Sequence, residues 1–236
     1  MLRRDIQGVK DMDNIKVLLV DDEENIRNLL EAYLKKEGFK TLHSSNGKEA
    51  IEIMEKESVN LVVLDIMMPV LDGFETLKVI RNRWNIPVVM LSAKEEEEDK
   101  LLALGFGADN YETKPFSPKV LVAKIKALIK RSYGSSIDKS TGIVMGNLYI
   151  DEEGHRVMVS DEEINLSPTE FSLLIYFLKN KNIVLTREQI LTKIWGYDFE
   201  GDIRVVDTTI KRLREKLKHM NKVIVTVRGF GYKIEV

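Results

Sequence analysis

Four residues carry the chemistry this chain can be read to do: Asp21 and Asp22 after the apolar run 15–20, Asp65 after the apolar run 61–64, and Lys114 before Pro115. Both runs are short and rich in Val and Leu, and each stops where the charge begins, as fully buried strands do. In an open parallel sheet, ligand sites gather at the carboxyl ends of strands, near the point where strand order reverses. That placement would crowd three carboxylates into one small acidic pocket. Carboxylates so close repel one another, so either a pKa rises or a divalent cation sits among them. Oxygen-only ligands favour a hard ion, and Mg²⁺ is usually held by one or two carboxylates, water and phosphate. A neighbouring lysine would neutralise an incoming phosphoryl group. The set suits transfer of phosphate onto an aspartate.

A lone aspartate at a strand end is ordinarily a helix N-cap or a solvated turn. Asp22 could cap the helix that follows it, and Asp72 before Gly73 is common turn chemistry. The combination is more specific. The strings LLVDDEENIR, VVLDIMMPVLDG, VVMLSA and GADNYETKPF occur in that order, each at the end of an apolar strand-like run. Together they resemble the receiver domain of two-component response regulators over residues 15–131, essentially the full length of such a domain.

The resemblance implies that Asp65 is the phospho-accepting nucleophile. It makes Asp22 a direct Mg²⁺ ligand, with Asp21 acting mainly through water and the main-chain carbonyl of Met67 as a further ligand. Ser92 stands at the hydroxyl position that turns toward the phosphoryl oxygen, and Tyr111 at the aromatic position that swings inward with it. Lys114 would pair with the phosphoryl group, and Lys114–Pro115 is a candidate cis peptide. A carboxylate can serve as nucleophile toward phosphorus, catalysis then being mostly positioning and charge neutralisation. Alone, Ser92 reads equally well as a strand-end cap and Tyr111 as a half-buried strand aromatic.

Length and composition bound the alternatives. A chain of 236 residues suggests two domains of ordinary size. With 36 basic and 38 acidic residues, the near-neutral balance argues against a nucleic-acid coat protein or a membrane-surface binder. The absence of Cys removes disulfides, thiolate zinc sites and cysteine catalysis. His43, His155 and His219 are too scattered for a histidine metal cluster. No apolar stretch approaches a membrane span and the N-terminus lacks a secretory apolar region, so the expected protein is soluble and cytoplasmic. Residues 1–14 show no period and read as a flexible extension, with translation starting at either Met1 or Met12.

The elements that must position the acidic pocket alternate strand and helix five times. Strands are expected near 15–20, 40–43, 61–64, 86–91 and 110–113, and helices near 24–37, 47–57, 73–83, 95–104 and 117–131. Alternating units with short loops imply a doubly wound, parallel five-stranded α/β domain with right-handed crossovers. Ser117-Pro118 is a helix start signal. The acidic run 95–99 complements a helix dipole on a solvated face.

In OmpR/PhoB-type response regulators, phosphorylated receivers pair through the face built by the fourth helix, fifth strand and fifth helix. The resemblance carries Lys100, Asp109, Lys124, Lys126 and Arg131 onto that face. Val120 stands where the family usually has an acid, and Asn110 replaces the second acid of its usual GADDY string. Each rim-exposed pair so lost is worth about 0–1 kcal/mol, which predicts a weaker or more hydrophobic dimer through the same face.

Residues 132–142 are small, polar and unpatterned, a linker composition. Beyond it, residues 143–166 alternate apolar and polar, with turns expected at 151–154 and 161–163, which reads as a small antiparallel sheet. Ser167-Pro168-Thr169-Glu170 is a capping box opening a helix to about 179, and Thr186-Arg187-Glu188-Gln189 opens a short second helix ending near 195. A third helix is expected from about 204 to 218, and residues 223–236 form a hairpin around Arg228-Gly229-Phe230-Gly231. The strings LSPTEFSLL, LTREQILTKIWG, VVDTTIKRLREKL and VRGFGYKI resemble the OmpR/PhoB-type effector domain over residues 143–236, an α+β winged helix-turn-helix whose third helix lies in the major groove.

Charge supports that reading locally. From Arg204 to Arg228 the bases are Arg204, Lys211, Arg212, Arg214, Lys216, Lys218, Lys222 and Arg228, against Asp207 and Glu215. Such an excess is a plausible phosphate footprint, although a solvated amphipathic helix with Val206, Ile210, Leu213 and Leu217 buried would also carry it. Arg212, Arg214 and Thr209 are the candidates for groove contacts, Arg204 and Lys211 for phosphates, and Arg228 for the minor groove.

The resemblance therefore implies a DNA-binding transcriptional regulator: a sensor histidine kinase phosphorylates Asp65, receivers pair, and effector domains bind tandem half-sites in double-stranded promoter DNA, with RNA polymerase as a further partner. Enzymatic activity would be confined to self-directed phosphoryl transfer and slow autodephosphorylation. A stand-alone aspartyl phosphatase would need a second acid two residues after the nucleophile, where Met67 stands. A receiver regulated by protein contact alone would predict loss of the acidic trio or of Lys114, and all four are present.

Overall fold

The computed structural model describes residues 15–93, 103–133, 142–152, 154–160, 162–197, 199 and 201–235. They form two compact units, taken in turn.

The first is built on a sheet of β1 (Lys16–Val20), β2 (Lys40–Ser44), β3 (Leu61–Asp65), β4 (Val88–Ser92) and β5 (Asn110–Thr113). The spatial order is β2-β1-β3-β4-β5, and β1 pairs in parallel with both β2 and β3. Strand order therefore reverses at β1, and Val20 lies beside Leu64, so the chain ends of β1 and β3 emerge side by side. Every residue of β3 and β4 is buried, which explains their unbroken apolar runs. Val17, Leu19, Leu61, Val63, Val89 and Leu91 project to one face, following the two-residue period of a strand. They pack there with Leu30 and Leu34 of α1 (Glu24–Lys36) and with Leu121, Ile125 and Leu128 of α4 (Pro118–Tyr133). Ala50 and Met54 of α2 (Gly47–Lys56) and Leu77 and Ile80 of α3 (Gly73–Arg83) are buried as well.

The expected bounds shift by two residues at two places. The fourth strand begins at Val88 rather than 86, after Pro87, which has no N–H for the ladder. The last receiver helix continues to Tyr133, two residues into the expected linker, and Tyr133 donates its phenol proton to Asn60 O at 2.9 Å. Of the expected fourth helix, 103 and 104 are helical and the helical turn runs on to 105, while the remainder, the acidic run and the extension 1–14 lie outside the described residues.

The second unit's sheet is an antiparallel meander, β6 (Ile143–Met145), β7 (Leu148–Asp151), β8 (Arg156–Val159) and β9 (Glu162–Ile164), paired in that order. Asp151 Oδ1 accepts the Gly154 N–H at 2.9 Å in the first expected turn. The second expected turn falls earlier than 161–163: Ser160 takes φ 50, and Glu162 and Glu163 already pair with Val159 and Met158. The left-handed backbone at Ser160 makes the tight turn, and an exposed cross-strand ion pair, Arg156 to Glu163 at 3.0 Å, accompanies the ladder that follows. Capping boxes open α5 (Pro168–Lys179) at Ser167/Glu170 and α6 (Arg187–Trp195) at Thr186/Gln189. Then come α7 (Arg204–Lys216), a 3-10 helix (Lys218–Val223) where the third helix and the hairpin were expected to meet, and the hairpin β10 (Ile224–Val227) and β11 (Gly231–Ile234). Among the described residues no helix is long and apolar enough to cross a membrane.

Candidate functional site

The reversal at β1 brings Asp21 and Asp65 together at the same end of the sheet. Asp65 closes β3 at 3% exposure and Asp21 follows β1 at 2%. The Lys114 N–H donates to Ser92 O at 2.7 Å, tying the end of β5 to the end of β4. From that anchor the Lys114 ammonium bridges the two carboxylates, 2.7 Å from Asp65 Oδ1 and 2.8 Å from Asp21 Oδ2. Asp65 Oδ2 accepts the Met67 N–H at 2.8 Å, and Asp21 Oδ1 accepts the Glu23 N–H at 2.9 Å. Each buried carboxylate oxygen thus has a donor. Arg27 of α1 donates to the Asp21 main-chain carbonyl.

Burial pushes the Asp65 carboxyl from 3.8 up to about 6. The Asp21 charge adds to that, and the Lys114 ammonium works against it. Lys114 itself is raised: burial pulls it down, but its hydrogen bonds to Asp21 and Asp65 outweigh burial. The nucleophile candidate therefore carries a carboxylate poorly solvated for its charge, which cation or phosphoryl chemistry can relieve.

Gly73, at the first turn of α3, makes this loop possible. A Cβ there would lie 2.2 Å from Asp65 O and 2.8 Å from Ile66 Cα, so only glycine lets α3 start against the nucleophile's own backbone. Between them Val70 sits 78% exposed at φ 71, a strained backbone for a β-branched residue.

The expected carboxylate trio is gathered in part. Asp22, one residue on from the inward-facing Asp21, is exposed. Among the described residues no group of three acidic or histidine side chains is assembled for a metal ion. The ligands that the resemblance implies, Asp21, Asp22, Asp65 and the Met67 carbonyl, are all oxygen and so would suit a hard divalent cation. Ser92 is fully buried at the end of β4, and Tyr111 is buried on the neighbouring β5. The Lys114–Pro115 peptide is cis.

On the expected pairing face, the charges have partners within the chain. Asp109 is buried, 2.7 Å from Arg81 Nη2. Lys124 sits 2.7 Å from Glu112 and Lys126 sits 2.5 Å from Glu37. Arg131 is half-buried and Val120 is exposed. Asn110 Oδ1 accepts the Tyr111 N–H at 2.7 Å. Lys100 lies outside the described residues.

The candidate DNA contacts divide similarly. Arg204 and Lys211 are exposed on α7, and Arg228 is exposed beside Gly229, whose φ of 78 turns the hairpin tip. Arg204 pairs with Asp202 at 2.7 Å. Thr209, by contrast, is buried, three residues from Val206 and four from Leu213 on the helix. Arg212 Nε lies 3.3 Å from Glu170 Oε1, and Arg214 donates to Ile224 O at 2.6 Å and to Thr226 Oγ1 at 2.9 Å. Glu170 is a residue whose second role the sequence reading missed. Its Oε2 completes the capping box with Ser167 N at 2.8 Å and also holds Lys216 at 2.7 Å, stitching α5 to α7. Only the cap is legible from local spacing.

A doubly wound domain with an aspartate–lysine pocket, followed by a winged helix-turn-helix, defines a class of two-domain DNA-binding regulators, and comparison with known proteins agrees. Residues 17–126 match the response regulator receiver domain, and residues 161–234 match the C-terminal domain of transcriptional regulatory proteins. The chain is 42% identical over 230 residues to the transcriptional regulatory protein SrrA of Staphylococcus aureus, covering 94% of this chain and 95% of that one. Among solved structures, a point mutant of RitR aligns with a TM-score of 0.76 at 28% identity, over 94% of this chain and 99% of that one. DrrB, an OmpR/PhoB homologue of Thermotoga maritima, aligns at 0.50 and 31% identity with the same coverage. The chain belongs to the two-component response regulators with an OmpR/PhoB-type DNA-binding domain. It is a regulator of transcription.

Proposed function

We propose that Asp65 takes a phosphoryl group from a sensor histidine kinase and that this state drives receiver pairing and DNA binding. The observation that carries the reading is the Lys114 ammonium between Asp65 and Asp21, with Asp65 raised to about 6. A carboxylate so held is ionised above that pH, and one of its oxygens is a nucleophile toward phosphorus. Lys114 stands where it can transfer its contact from the Asp65 carboxylate to the phosphoryl oxygens. Ser92 and Tyr111 supply the hydroxyl and the aromatic ring that respond to the modified site. Asp22, Asp65 and the Met67 carbonyl would hold Mg²⁺, with Asp21 reaching it through water; when bound, the ion neutralises charge on the phosphoryl group.

Pairing uses Lys100, Asp109, Lys124, Lys126 and Arg131 in the receiver, and sedimentation of the beryllofluoride-treated protein at tens of micromolar reads it directly. A strict monomer would count against it. The effector domains then bind tandem half-sites in promoter DNA, where Arg204 and Lys211 meet phosphates, Thr209, Arg212 and Arg214 meet the major groove, and Arg228 meets the minor groove. RNA polymerase is the downstream partner. The three groove residues must exchange intrachain contacts to do so, which makes them the most exacting part of the assignment.

Incubation with acetyl phosphate and Mg²⁺, followed by intact mass, tests the acceptor. The wild-type protein should gain one phosphoryl group and Asp65→Asn none, an amide being a poor nucleophile. Undiminished labelling of the variant moves the acceptor elsewhere, Asp21 first.

A further inference from the structure

Recognition helix and wing are joined by a polar clasp that the DNA-binding reading does not use. Tyr232 of β11 is 5% exposed, and its OH donates to Asp207 Oδ1 of α7 at 2.7 Å. The same oxygen accepts from Arg187 Nε of α6 at 2.8 Å, and Arg187 Nη2 lies 3.3 Å from the Tyr232 OH. Two guanidinium groups lie over the Tyr232 ring, Arg187 at 4.9 Å and Arg214 at 5.5 Å from its centroid. Arg214 goes on to Ile224 O and Thr226 Oγ1 on the partner strand of the hairpin. Burial and the Asp207 hydrogen bond push the phenol above its ordinary value, so it remains the donor.

The backbone reinforces this. Leu185, just ahead of α6, exchanges both main-chain hydrogen bonds with Tyr232, at 2.8 and 3.0 Å. Gly231 permits it, since a Cβ there would lie 2.1 Å from Leu185 O. The hairpin is therefore fixed by its main chain to Leu185, ahead of α6, and by side chains to α6 and α7. Asp207 is an acid on a helix otherwise dominated by bases, and its half-exposed carboxylate is engaged within the domain by Arg187 and Tyr232.

We propose that Tyr232 and Asp207 are specificity-determining positioning residues: their contact fixes the offset of the wing from the recognition helix, so that the domain selects duplexes carrying a minor-groove element at one set spacing from the major-groove site. The proposal rests on the DNA-binding reading above. A charge-assisted hydrogen bond from a buried phenol is costly to lose, and its loss frees one reading element to shift against the other. Neither residue needs to touch DNA.

The test begins with duplexes enriched by the full-length wild-type protein from a randomised pool. Affinity is then measured for an enriched duplex and for versions with a single base pair inserted or removed between the two contact regions. The wild-type protein should lose about tenfold or more on the shifted duplexes, the scale of a mismatched site. Tyr232→Phe should bind the parent duplex about three- to tenfold more weakly and discriminate against the shifted ones by about threefold or less. Asp207→Asn, which keeps an acceptor for the phenol but not the charge for Arg187, should fall between, and decides the matter if Tyr232→Phe does not fold. Variants that bind more weakly yet keep the wild-type ratio overturn the inference alone, reducing the clasp to a stabilising contact. A wild-type protein that enriches no duplex overturns the DNA-binding reading and the inference with it.

Discussion

Replacing Asp65 by Asn should make the receiver more stable, and the gain should depend on pH in a way fixed by the pocket. The Asp65 carboxyl rises from 3.8 in the unfolded chain to about 6 in the folded one, with burial the leading cause. Between those values the folded protein holds a proton that the unfolded chain has released. Stability therefore falls as pH rises through that window, and the full penalty stands above the folded value. At about 1.4 kcal/mol per pH unit, the rise amounts to about 3 kcal/mol. The attraction of Lys114 is already inside that balance, and in the variant Lys114 keeps Asp21 at 2.8 Å. Asn keeps the shape and cannot ionise, so it escapes the penalty. Urea unfolding without divalent ions would measure the difference, with Trp195 replaced by Phe so that Trp84 alone reports on the receiver. The expected gap approaches about 3 kcal/mol near pH ~8 and shrinks toward zero near pH ~4. A gap that stays constant across that range would falsify the raised carboxyl and with it the argument that the pocket holds an under-solvated charge.

Three further outcomes are expected. Asp22→Ala removes a direct oxygen ligand, so phosphorylation from acetyl phosphate should need far more Mg²⁺; an unchanged Mg²⁺ dependence rejects the assignment. Arg228→Ala should weaken binding to an enriched duplex by about 1–3 kcal/mol and lower the salt slope by about one, with Asp65 phosphorylation unchanged; full affinity with the same slope returns Arg228 to solvent. Val70→Gly should relieve the left-handed backbone at φ 71 and raise receiver stability by about 0.5–1 kcal/mol, Gly's greater chain entropy absorbing part of the gain; a destabilised variant shows that the strain is not there.

What could be read from the sequence was whatever a short window contains. The first receiver strand stops before Asp21 and the third ends on Asp65, and the capping boxes at Ser167 and Thr186 open α5 and α6 as their spacing required. The burial of Thr209 was legible too: it lies a helical turn from Val206 and Leu213, already assigned to the buried stripe. Other features depend on partners distant in sequence. Glu170 reaches Lys216 across 46 residues, and Tyr232 reaches Asp207 across 25. No local pattern announces such pairs, because a basic residue on a helix looks the same whether it faces phosphate or a buried acid. The extension of α4 to Tyr133 has the same origin, since its tie to Asn60 spans 73 residues.

On the face proposed for receiver pairing, the charges are already engaged. Lys124 already holds Glu112, Lys126 holds Glu37 and Asp109 holds Arg81. A second copy approaching this face would not meet bare charges; it would meet bonds that must open before new ones close. Association of that kind is a swap among equals, in which the Coulombic gain across the interface is set against a like loss within each subunit. Ionic strength then screens both sides of the exchange, and a dimer so formed should be far less sensitive to salt than its number of charged contacts suggests. What tips the swap has to come from somewhere other than charge, and Val120, exposed on this face, marks where apolar area is available to do it.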